Sequence, residues 1–202
     1  MTPGTYGVVS DTHGVVPAEV LDLLDGVLGI FHAGDVCGED VLVELAAVAP
    51  VYAVYGNNDT FPLVTRLPRL ATYEVAGHRL LLVHELKKPE APDRPVARVI
   101  AEERPRVVMF GHSHRPTAVE LDGVLYLNPG STTVRRAAGT TRGVAKLHLE
   151  PSELRWELIP LEDDPRARAR KVDRMRMSSA CGWSERSDSE RRGGLGAKPH
   201  LK

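Results

Sequence analysis

Short apolar runs in this chain stop, five times over, at small clusters of carboxylate, amide and imidazole side chains, and that coupling leaves few folds open. Tyr6-Gly7-Val8-Val9-Ser10 stops at Asp11-Thr12-His13, and the run over 28–33 stops at Gly34-Asp35. Val51-Tyr52-Ala53-Val54-Tyr55 stops at Gly56-Asn57-Asn58-Asp59, Leu80-Leu81-Leu82-Val83 at His84, and Val107-Val108-Met109-Phe110 at Gly111-His112-Ser113-His114. Runs of this length, rich in β-branched residues and bounded by turn formers, read as buried strands. In an open α/β sheet the loops beyond the carboxyl ends of the strands form the ligand crevice, so side chains remote in sequence meet in one pocket.

The donor types in those clusters are coherent. Asp11, Asp35, Asn57, His13, His84, His112 and His114 offer mixed oxygen and nitrogen donors without thiolate. Such a set suits Mn, Fe, Ni, Co or Zn better than Ca, and Mg is less at home among so many imidazoles. Histidine binds metal as the neutral imidazole. Asp35, midway in the motif order, is the natural carboxylate to bridge two cations. Taken singly, Gly34-Asp35 and Gly56-Asn57-Asn58-Asp59 are ordinary turn formers, and His84 alone is a core or loop histidine. Two imidazoles flanking Ser113 at a strand end have no capping or packing task that other residues would not do better.

Asp11-x-His13, Gly34-Asp35, Gly56-Asn57, His84 and Gly111-His112-x-His114, in this order, resemble the signature of the calcineurin-like metallophosphoesterase superfamily, and most of all its small single-domain phosphodiesterases from bacteria and archaea. The resemblance spans about residues 5–160. It implies a four-layer αββα sandwich of two mixed sheets flanked by helices. It further implies that Asp11, His13 and His114 hold one divalent metal, that Asn57, His84 and His112 hold the other, and that Asp35 bridges them. A water or hydroxide between the cations, Mn²⁺ first with Ni²⁺, Co²⁺, Fe²⁺ or Zn²⁺ as alternatives, then attacks the phosphorus of a small phosphodiester.

Two positions depart from the family pattern. Larger relatives carry histidine directly after Gly-Asn, where this chain has Asn58, which donates a hydrogen bond but does not titrate. Asn58 is therefore the candidate catalytic side chain, and activity is expected to favour esters whose leaving group needs little protonation. Relatives commonly read His-Gly where this chain reads His84-Glu85-Leu86-Lys87-Lys88, so a side chain stands where glycine permits close approach. Glu85 repels an anionic ester while Lys87 and Lys88 attract one, and all three also suit a solvated loop.

Other polar residues are assigned quieter roles. His32 sits in an apolar run, three residues before Asp35, and reads as a satisfied buried histidine or as support for a ligand from behind. His78 falls in a turn-like stretch and is expected to be exposed, and His148 reads as a strand-surface residue. Asn128-Pro129-Gly130-Ser131 reads first as a turn, with phosphate contact through its amides as the alternative.

The 202 residues, 42% hydrophobic and 5% aromatic, suit one domain whose core is mainly aliphatic. Strand signals at 5–10, 28–33 and 51–55 alternate with helical patterns at 18–24 and 40–47, as βαβ units do. Later runs at 72–75, 78–83, 118–121, 124–127, 144–149 and 154–159 are hairpin-spaced, with one helix over 96–103 and an Asp122-Gly123 turn. Cys37 and Cys181 suggest no disulfide framework, which fits a reducing cytoplasm. Neither a signal-peptide pattern nor an apolar run of membrane-spanning length is present.

Composition changes near Pro165. Eleven Lys/Arg against four Asp/Glu give residues 165–202 about +7, leaving about −8 on residues 1–164, the expected metallophosphoesterase domain. The basic segment carries too little apolar surface to offset ordering entropy and is expected to be disordered. Three functions follow in order: a phosphodiesterase acting on small esters, a non-catalytic scaffold on the same fold as in the retromer scaffold subunit, and a nuclease. Complete ligand positions argue against the scaffold, and the acidic body argues against nucleic acid as a partner.

Overall fold

The computed structural model describes residues 1–133 and 141–161; the expected basic segment 165–202 lies outside them. Strands β1 (Gly4–Val9), β2 (Ile30–His32) and β3 (Val51–Ala53) run parallel, with Gly7 opposite Ile30 and His32 opposite Ala53. Helices α1 (Ala18–Leu23) and α2 (Glu39–Ala46) make the crossovers between them. A four-residue helix, α3 (Leu63–Arg66), follows β3.

A second sheet is built from β4 (Leu70–Val75), β5 (His78–Val83), β6 (Val107–Met109), β7 (Thr117–Leu121) and β8 (Val124–Asn128) in the order β4-β5-β6-β8-β7. Helix α4 (Arg94–Glu103) links the parallel pair β5 and β6, and β6 is also parallel to β8, whereas β4–β5 and β7–β8 are antiparallel hairpins. The chain then returns to the first sheet. There β9 (Arg142–Glu150) pairs antiparallel with β1, and β10 (Glu153–Leu161) with β9, giving the order β10-β9-β1-β2-β3.

Alternation along the strands decides the layers, because successive side chains point to opposite faces. Val8 of β1, Phe31 of β2, Leu80 and Leu82 of β5, Met109 of β6, Leu127 of β8 and Leu147 of β9 fill the space between the sheets. Val9, Ile30 and Val144 face the other way, against Val20, Val41 and Leu45 of the first two helices. Leu81, Val83 and Val108 meet Val96 and the half-buried Val99 and Ile100 of α4. Helix, sheet, sheet and helix thus stack as the family resemblance implied. His78 opens β5 as the run over 78–83 suggests, but it is half-buried rather than exposed, with Nε2 donating to the Glu150 carbonyl at 2.7 Å.

Candidate metal centre

Each candidate residue follows the carboxyl end of a parallel strand: Asp11 and His13 follow β1, Asp35 follows β2, Asn57 follows β3, His84 follows β5, and His112 and His114 follow β6. Two sheets therefore contribute to one cleft. The loops ride on one another through backbone hydrogen bonds, Asp11 N–H to Gly34 O at 3.0 Å, His13 N–H to Asp35 O at 3.0 Å, and Gly111 N–H to His84 O at 2.9 Å. Those bonds require an unusual backbone. Asp11, His13, Asp35, Cys37, His112 and His114 all adopt positive φ, between 48° and 66°. Non-glycine residues held there carry about 1–2 kcal/mol of strain each, the kind that concentrates at functional sites.

The seven side chains form an unbroken chain of polar atoms. His112 Nδ1 lies 2.8 Å from Asn57 Oδ1, which lies 3.1 Å from His84 Nε2. His84 Nε2 lies 3.4 Å from Asp35 Oδ1, and Asp35 Oδ2 lies 3.9 Å from His13 Nε2. His13 Nε2 and His114 Nε2 are 3.2 Å apart, and His114 Nε2 is 3.1 Å from Asp11 Oδ1. Ligand atoms of Asp11, His13 and His114, and separately of Asp11, Asp35 and His84, lie within 4.8 Å of one another. Asp11, Asp35, His84 and His114 are buried while Asn57 and Asn58 are exposed, so the cluster opens to solvent on the asparagine side.

The orientation of these groups suits cations. Asp11 Oδ2 accepts from the Ser10 hydroxyl at 2.7 Å and from the His112 N–H at 3.1 Å, whereas the buried Oδ1 accepts no hydrogen bond among the described residues and faces His114 Nε2 at 3.1 Å. His84 Nδ1 donates to the Ala33 carbonyl at 2.7 Å, which turns Nε2 toward the oxygens of Asp35 and Asn57, where the neutral ring would offer its lone pair to a cation. Acceptor atoms converging in this way need a proton or a metal among them, and a mixed oxygen and nitrogen donor set fits first-row divalent ions.

Electrostatics follow the same geometry. Burial pushes the Asp35 carboxyl up, but the His84 hydrogen bond and charge, with the Asn58 N–H at 2.8 Å and Nδ2 at 2.6 Å, hold it well below the usual carboxylate range. Burial depresses His84, yet Asp35 beside it wins and raises its basicity. Burial also lowers His32 to about 4 despite the attraction of Asp59 and Asp11. Gly34 N–H donates to His32 Nδ1 at 3.2 Å, so its Nε2–H donates to Thr12 Oγ1 at 3.0 Å. A neutral His32 thus ties the Asp11–His13 loop to the Asp35 loop from behind. Burial and the charges of Asp59 and Asp35 push the Cys37 thiol, 3.7 Å from His13 Nδ1, up to about 12.

Several supports escaped the sequence reading. Asp59 accepts from Cys37 N–H at 2.6 Å and Gly56 N–H at 2.7 Å, pinning the Asn57–Asn58 loop to the Asp35 loop. Ser10 anchors Asp11, and Asn128 Nδ2 donates to Gly111 O at 2.8 Å. The motif glycines give the clearest signal. A Cβ on Gly111 would sit 1.9 Å from Ser10 Oγ and 2.7 Å from Asp11 Oδ2, and one on Gly56 would sit 2.3 Å from Asp35 Oδ1. The backbone there is packed directly against the carboxylates.

Comparisons with known proteins point the same way. Residues 5–151 match the family model described as the calcineurin-like phosphoesterase superfamily domain. A probable metallophosphoesterase from Methanothermobacter thermautotrophicus is 35% identical over 158 residues, 76% of this chain and 90% of that protein. Among solved structures, vacuolar protein sorting 29 from Cryptosporidium parvum superposes with a TM-score of 0.67 at 20% identity, over 80% of this chain and 93% of the other. A novel archaeal phosphodiesterase superposes with a TM-score of 0.62 at 23% identity, over 78% of this chain and 99% of the other.

Proposed function

The chain belongs to the calcineurin-like phosphoesterase superfamily, metal-dependent hydrolases of phosphate esters, and we propose that it is a phosphodiesterase acting on small diesters at a binuclear centre. The observation that carries this is the continuous run of facing donor atoms from His112 through Asn57, His84, Asp35, His13 and His114 to Asp11. Asp11, His13 and His114 would hold one cation and Asn57, His84 and His112 the other, with Asp35 between the two groups. When bound, two divalent cations, Mn²⁺ first among them, would supply Lewis acidity toward the phosphoryl oxygens and lower the pKa of a nearby water.

The chain's own residues position and orient. Ser10 and the His112 N–H occupy Asp11 Oδ2 and leave Oδ1 aimed inward. The Ala33 carbonyl fixes the His84 tautomer. Asn58, at the exposed edge beside Asp35, offers developing negative charge a hydrogen bond and no proton, which favours esters with good leaving groups. An acidic body carrying about −8 disfavours nucleic acid as substrate. The exposed free thiol of Cys37 is compatible with a reducing cytoplasm, and no helix among the described residues is long and apolar enough to cross a membrane.

Metal-stripped full-length protein assayed on bis-p-nitrophenyl phosphate, with Mn, Ni, Co, Zn and Mg added back in turn, tests the proposal. Metal-dependent turnover is expected, strongest with Mn. Absence of turnover with every metal, in protein that still binds them, would instead support a scaffold on this fold.

A further inference from the structure

The Asp11, His13 and His114 group draws ligands from both sheets, so its geometry depends on what sets the spacing between their loops. Residues 128–133 lie across that gap. At one end Asn128, fully buried, donates from Nδ2 to Gly111 O at 2.8 Å and to Ser113 Oγ at 3.2 Å, gripping the loop that carries His112 and His114. Its own Oδ1 accepts from Gly130 N–H at 2.8 Å, which closes the turn. At the other end Ser131, also fully buried, donates from Oγ to Asp11 O at 2.7 Å, and Thr133 Oγ1 donates to Thr12 O at 3.1 Å. The Ser131 carbonyl is in turn held by Gly143 N–H at 3.0 Å, at the start of β9. The grips on Gly111, Asp11 and Thr12 fall on the backbone of residues in, or next to, the left-handed conformation that aims a ligand inward, and the grip on Ser113 Oγ falls between two such residues, His112 and His114.

From this we infer that Asn128 and Ser131 are positioning residues: a clasp between the sheets that sets the separation of Asp11 from His114, and so tunes one of the two metal sites. The inference rests on the binuclear reading above. A turn of purely structural value would need neither side-chain amide nor hydroxyl to reach the two loops. Supporting groups that hold metal ligands in place are worth about 10- to 100-fold in metal affinity.

Calorimetric titration of Mn²⁺ into metal-free full-length protein tests this, alongside the melting temperature of each metal-free variant. Wild type is expected to show two binding events. Ser131→Ala is expected to weaken one of them about 10- to 100-fold while leaving the other within about twofold. Thr133→Val, a milder change at a half-buried position, is expected to weaken the same event a few-fold without altering the metal-free melting temperature. Wild type with two events and variants with both affinities unchanged, or both reduced equally, overturns the clasp alone. Wild type that takes up no Mn²⁺ overturns the binuclear reading and the clasp with it.

Discussion

The two ends of the sandwich use the same rare backbone conformation for opposite purposes. Ala76-Gly77 joins β4 to β5, and Asp122-Gly123 joins β7 to β8, at the end away from the cluster, with φ of 52° and 83° in the first pair and 49° and 78° in the second. Two successive left-handed residues are what a tight hairpin requires, and a Cβ on either glycine would meet nothing within 4 Å. At the carboxyl end Asp11, His13, Asp35, His112 and His114 are left-handed outside any hairpin, with glycines packed against carboxylates. Left-handed geometry closes a chain reversal at one end. It aims side chains at the other, where buried side-chain hydrogen bonds such as Ser10 to Asp11 and Asn128 to Gly111 hold the loops.

Removing the aimed groups should break that contrast most severely. Asp35→Asn keeps the shape but loses the charge, and Mn²⁺-dependent turnover is expected to fall by on the order of 10³-fold with an unchanged circular dichroism spectrum. A fall smaller than tenfold would mean that Asp35 is a turn residue like Asp122.

The acid response should come next. His32 is neutral down to about 4 when folded and takes a proton below 6.5 when unfolded, so the unfolded state binds the extra proton as pH drops through that window. About 3 kcal/mol of stability is expected to disappear between those values, and a His32→Asn variant should lack that slope in urea unfolding. His84 works in the opposite sense. Its raised basicity lends metal-free protein stability that is complete below 6.5 and fades as pH rises through the folded pKa.

Glycine substitutions compare the two ends directly. Gly111→Ala is expected to cost about 3 kcal/mol, because Ser10 and Asp11 are pinned and cannot yield. Gly77→Ala meets only its own positive φ and should cost about 1 kcal/mol. Equal urea midpoints for the two would refute the claim that the carboxyl end is packed against its backbone. The smallest effect is expected at Ala76→Gly, where relieved strain slightly exceeds the added chain entropy, a gain of about 0.5 kcal/mol.

Much of this contrast was legible in the residues. The apolar runs ending in Asp, Asn and His located the strand ends, since burial and period-two alternation leave little freedom over so few residues. The hairpin at Asp122-Gly123 was legible for the same local reason. The return of β9 and β10 to the first sheet was not, because an alternating strand announces a buried face but not its partner. Helix α3 is a single turn, too short to show a period. Asp59, Asn128 and Ser131 read only as turn residues and Ser10 only as the end of a strand, because short polar residues near turns look alike until the carbonyl or carboxylate they reach is seen.

Pairing of β1 with β9 sets Val8 opposite Ala145 and Gly4 opposite Leu149, so the strand that presents Asp11 and His13 is an edge until nearly the whole domain has been synthesised. Such long-range pairings are slow to form. A nascent chain therefore exposes the β1 edge to strangers for most of its synthesis. The strand leading to Asp11 and His13 thus gains its second neighbour only when residues 145–149 have been made, so cation uptake at the proposed centre is expected to report on complete folding.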